Sequence, residues 1–204
     1  MSNFERIGGW FAIPFAILAL GGLGLWFYGA DMPEDGQSAA QLADRANSVG
    51  IALTGAALLI AAMLCLLAYA LWLRKRYSSN ATIGFGAAVI ALGGLTHAVE
   101  NMLVLRLYSG DIASGDGLWD VISSMSFIAF GVLGVGALIV AIGLPSPAWL
   151  RGWGVIAGAL GLGAALSYFA PALQFLPGPF NVGLLAWMIT LGLRRPAARE
   201  SQPA

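Results

Sequence analysis

Of 204 residues, 59% are hydrophobic and only 10% are charged, with a mean hydropathy of +0.81. Soluble domains carry about a quarter charged residues, so an ordinary soluble chain is excluded. Ten basic and ten acidic residues cancel, leaving no basic footprint for nucleic acid. The sequence reads as an all-α, polytopic integral membrane protein.

A membrane helix needs about 20 apolar residues to cross about 30 Å of hydrocarbon. Residues 10–29, "WFAIPFAILALGGLGLWFYG", fit that length, with Trp10, Trp26, Phe27 and Tyr28 expected as interfacial anchors. The stretch is too long for a signal-peptide core and "FYGADM" offers no cleavage site, so it reads as a span. The second span, 49–73, stops at "RKR" and carries the single cysteine, Cys65, expected to be buried and inert. The third is 81–107, and the fourth, 118–144, ends at "PSP". The fifth covers 149–170, where Pro171 interrupts it. The sixth, 179–193, is short, at about 23 Å by helical rise. Six helices in one bundle, a single domain over 1–204, is the expected architecture.

Orientation follows from the basic residues. Arg6, then Arg74, Lys75 and Arg76, then Arg151, then Arg194, Arg195 and Arg199 fall on alternate connections. The positive-inside rule therefore predicts both ends of the chain in the cytoplasm. The longest connection, 31–48, is expected to rest a short alanine-rich helix on the outer surface, starting at Ser38. "SGDIASGDG", 109–117, lacks the ligand set of a calcium loop and reads as a turn. On the fifth span, Gly154, Gly158 and Gly161 form a small-residue stripe, which lets helices approach closely in lipid.

The stretch with most chemical content is "GGLTHAVENMLVLRL", 93–107. It holds the only histidine, His97, and the only acid well inside an apolar run, Glu100. On a helix, His97, Glu100 and Asn101 share a face that should point into the bundle. The fourth span descends from the same surface, and its Ser123 and Ser126 reach the depth of Glu100. These five residues form a candidate intramembrane polar cluster. An isolated carboxylate there would be costly, so Glu100 is expected to be partnered. One reading is structural, with the cluster setting helix register. A second is a permeation or proton-coupled site, or a pocket for a small amphiphile. It is weakened by the wholly apolar cytoplasmic halves of the third and fourth spans. A third is catalytic or metal-binding. His-x-x-Glu supplies two ligands where zinc wants three or four, and no nucleophile–histidine–acid set can be assembled. No catalytic, cofactor or metal residues are therefore assigned.

The whole chain resembles the uncharacterised bacterial membrane family catalogued as domain of unknown function 4386. The resemblance rests on the basic, glycine-bearing start "RIGGWFAIPFAILAL" and the acidic, alanine-rich "DGQSAAQLADRANSVGIAL". It continues through the proline-led "LPSPAWLRGWGVIAGALGLGAALSYF" and the tryptophan-bearing "LLAWMITLGLRR". "THAVEN" has no counterpart among these motifs. The resemblance implies a six-helix bacterial membrane protein and assigns no activity, cofactor or site residue. The function expected is thus a non-enzymatic binding or accessory protein of a bacterial cytoplasmic membrane. Its partners are the lipid bilayer and a small amphiphilic ligand or another membrane protein. The alternative is a small transporter-like or proton-coupled protein using the His97/Glu100 site.

Overall fold

The computed structural model describes residues 7–29, 49–109, 118–145 and 147–194. Among them are six α-helices: α1 Ala12–Gly29, α2 Val49–Arg76, α3 Ala81–Ser109, α4 Leu118–Gly143, α5 Ala148–Leu166 and α6 Pro177–Leu193. The first five are long and apolar enough to cross a membrane, α1 together with the 3-10 turn Gly8–Phe11 that precedes it; α6 is apolar but shorter. Helices satisfy their own backbone groups, which is what hydrocarbon demands of a spanning segment. The expected surface helix in 31–48 and the turn at 110–117 lie outside the described residues.

Boundaries differ from the sequence reading where local hydrogen bonds intervene. α2 continues to Arg76 and α3 to Ser109. α5 ends at Leu166, not at 170: the Ser167 hydroxyl takes the Ala164 carbonyl, and Pro171 disfavours helix in the residue before it. α6 begins at Pro177, whose missing N–H costs nothing in a first turn. Asn80 starts α3 by accepting the Ile83 N–H at 3.1 Å, and it donates to the Gly143 carbonyl at 2.9 Å, which ties α3 to the end of α4.

The helices form a closed ring in chain order, each packed on the next, with α6 returning to α1. Glycines set the tightest approaches. A methyl on Gly9 would stand 2.2 Å from the Gly192 carbonyl oxygen, so α6 meets the start of α1 backbone to backbone. The Arg76 guanidinium donates to the Arg194 carbonyl at 2.9 Å. The first and last described residues therefore lie at the same end of the bundle as Arg74, Lys75 and Arg76, here called the basic end.

Next to that end the interior is solid. Tyr69, Trp72, Leu73, Ile83, Leu144, Leu150, Trp187 and Met188 are almost wholly buried. The Tyr69 hydroxyl donates to Met188 O at 3.0 Å and the Trp187 indole to Leu150 O at 3.0 Å. Each aromatic residue thus fills space and satisfies its one polar atom on a neighbouring backbone.

Candidate functional site

The polar cluster is built on the α3–α4 pair. A methyl on Gly93, one turn below His97, would stand 2.7 Å from Leu133 Cγ. That absence of a side chain lets α4 approach until Ser126 reaches across to α3. Ser126 donates to Glu100 Oε1, and His97 Nδ1 lies 2.5 Å from Glu100 Oε2. A nitrogen and an oxygen that close hold a proton between them. Glu100 and Asn101 are buried. The Asn101 amide turns back along α3 and donates to the His97 carbonyl at 2.8 Å. The His97 ring also stands edge-on to Phe130, with centroids 5.3 Å apart, and Phe130 packs in turn on Phe180 of α6 at 5.8 Å. Ser123 makes no hydrogen bond to Glu100; it lies one turn nearer the opposite end.

All five of these residues line one cavity of about 360 Å³. It lies inside the ring, in the half away from the basic end, between α1, α2, α3, α4 and α6. Phe15, Leu59, Met63 and Leu133 supply apolar wall, while the polar side chains gather on α3 and α4. Two further lining residues escaped the sequence reading. Asn181 brings an amide from α6. The only signal for it was a lone amide in the shortest apolar run. Trp26, expected at the membrane interface, turns inward: it lines the cavity and packs edge-on to Tyr108 at 5.5 Å. Trp10, Phe27 and Tyr28 are exposed.

The stripe on α5 lies elsewhere. Gly154, Gly158 and Gly161 are buried against α4 and α6, and none lines the cavity. A methyl on Gly158 would stand 2.4 Å from Leu138 Cγ and 2.8 Å from the Gly134 carbonyl oxygen. Gly154 faces Trp187 and Ala141, and Gly161 faces Gly134 and Phe180.

Among the described residues, no group of three metal-capable side chains assembles, and no Lys or Arg lines the cavity. The site can accept and donate hydrogen bonds over one patch and offer apolar contact everywhere else. No family model, curated protein or solved structure matches the chain.

Proposed function

We propose that this chain is a bacterial cytoplasmic-membrane protein whose six helices all cross, with both ends inside, and that it binds a small amphiphile without transforming it. The cavity beside His97 and Glu100 is the observation that carries this reading. Its volume falls within the range of small-molecule pockets, as does its pattern of apolar walls with a few convergent polar groups. Water alone is poorly suited to walls this apolar, which favours a lipophilic occupant.

The proton-coupled alternative requires a polar route onward from Glu100 to the basic end. The solid packing around Tyr69, Trp72 and Trp187 offers none among the described residues, which supports binding over transport.

Two measurements test the proposal. The first is extraction of the protein in native lipid discs, followed by mass spectrometry of its lipophilic contents. One compound enriched to about one per protein is expected, and Ala19→Phe, which fills the cavity, is expected to remove it. Lipid contents identical in the two proteins would overturn the binding reading. The second concerns topology: a fluorescent protein fused after residue 204 should be bright and an alkaline phosphatase there inactive. The reverse pattern would mean that α6 does not cross.

A further inference from the structure

Resting on that binding reading, we infer that the occupant is a single-tailed lipid with an uncharged hydroxyl or carbonyl head, and that its tail leaves the cavity between α1 and α6. The head group follows from the wall chemistry. Among the described residues no Lys or Arg lines the cavity, so a net charge on the His97–Glu100 pair would find no counter-ion on these walls. A pair neutral overall leaves a hydrogen on His97 Nε2 wherever the shared proton sits, because either imidazolium or the Nε2–H tautomer results. Nε2 has no protein partner among the described residues, and neither does the Asn181 side chain. The site therefore offers donors and acceptors without charge. A phosphate, sulfate or ammonium head would lose its hydration and gain no counter-ion.

The exit follows from how α1 and α6 meet. They are the most sparsely joined neighbours in the ring. At the basic end their backbones touch at Gly9 and Gly192. On α1, Ala12, Ala16 and Ala19 are 1%, 7% and 7% exposed, whereas Leu20 and Phe27, at the edge of that face, are 54% and 55% exposed. On α6, Leu185 is 7% exposed, and Val182, one turn further from the basic end, is 62% exposed. Beyond their contact at Gly9 and Gly192 the two helices thus leave apolar side chains uncovered at their edges. Phe27 both lines the cavity and is itself 55% exposed, so the cavity opens beside it.

The test uses the full chain in nanodiscs of dioleoyl phosphatidylcholine and a hexadecanol carrying a photoactivatable diazirine near the end of its tail. Hexadecyl sulfate and hexadecyltrimethylammonium with the same diazirine serve as permanently charged controls. Saturable labelling by the alcohol is expected, at least tenfold above either charged probe, with adducts mapping to Leu20, Phe27 or Val182. Ala19→Phe should abolish it, and His97→Phe should weaken it about tenfold while His97→Gln, which keeps a donor, weakens it less. Equal labelling by all three probes, still blocked by Ala19→Phe, would overturn the neutral head and leave the binding reading standing. Adducts confined to lipid-facing positions such as Val99 and Ile128 would overturn the exit. Labelling indifferent to Ala19→Phe would sink the binding reading itself.

Discussion

Tyr69 and Trp187 at the basic end each give their one polar hydrogen to a carbonyl on another helix, and both side chains are almost wholly buried. In the other half, His97, Glu100 and Ser126 satisfy one another around a void. The difference lies in what fills the centre of a six-helix ring. Large aromatics anchored to backbone close it at one end. At the other, the helices stand apart, and the polar groups that could not be buried alone cluster on the cavity wall. At the basic end the polar atoms of Tyr69 and Trp187 are satisfied by protein, whereas in the other half His97 Nε2 and the Asn181 amide are left to whatever occupies the cavity. Only the second leaves room for a ligand.

The largest expected effect strikes the solid half. Gly192→Leu would drive a side chain into the Gly9 backbone, which has no rotamer with which to yield. No monodisperse protein is expected on size-exclusion chromatography in mild detergent. A monodisperse variant with wild-type melting would remove the Gly9–Gly192 contact from this account. Next comes Gly158→Leu, which overpacks the α4–α5 contact and is expected to cost about 3 kcal/mol, read as a clear drop in melting temperature. The exposed Ile156→Leu is expected to do almost nothing, and equal effects at the two positions would make the stripe irrelevant to packing.

In the hollow half the effects are smaller and differ in kind. His97→Leu alone leaves Glu100 under-satisfied, at about 2 kcal/mol. The His97→Leu, Glu100→Leu double variant should be no less stable than the single change, a coupling of about 1–3 kcal/mol. Strict additivity would show that the residues do not act as a pair. Smallest of all, Ala19→Phe is expected to leave stability unchanged or raise it by up to about 1 kcal/mol, because it fills space rather than creating a clash. A loss as large as that of Gly158→Leu would mean that no room exists beside Ala19.

The pairing of His97 with Glu100 was legible because three residues along a helix bring two side chains to one face. Ser126 was legible as well, since the short link between α3 and α4 makes them an antiparallel hairpin and equalises depth. Ser123, placed by the same reasoning, lines the cavity without a hydrogen bond to Glu100. For Trp26 the sequence offered only a depth near a span end, and its packing on Tyr108 shows which way the ring turns.

Composition and run length by themselves determined that the chain is a bundle of membrane-length helices and roughly where each begins and ends. Hydrocarbon tolerates no unpaired backbone, so any apolar run that long must be helical. The solid and hollow halves, the sparsely joined α1–α6 seam and the inward turn of Asn181 were decided by tertiary structure alone. Helices that are apolar on every side carry no stripe to say which face is buried. Contacts such as Gly9 on Gly192 join residues from opposite ends of the sequence, and local pattern has no access to them.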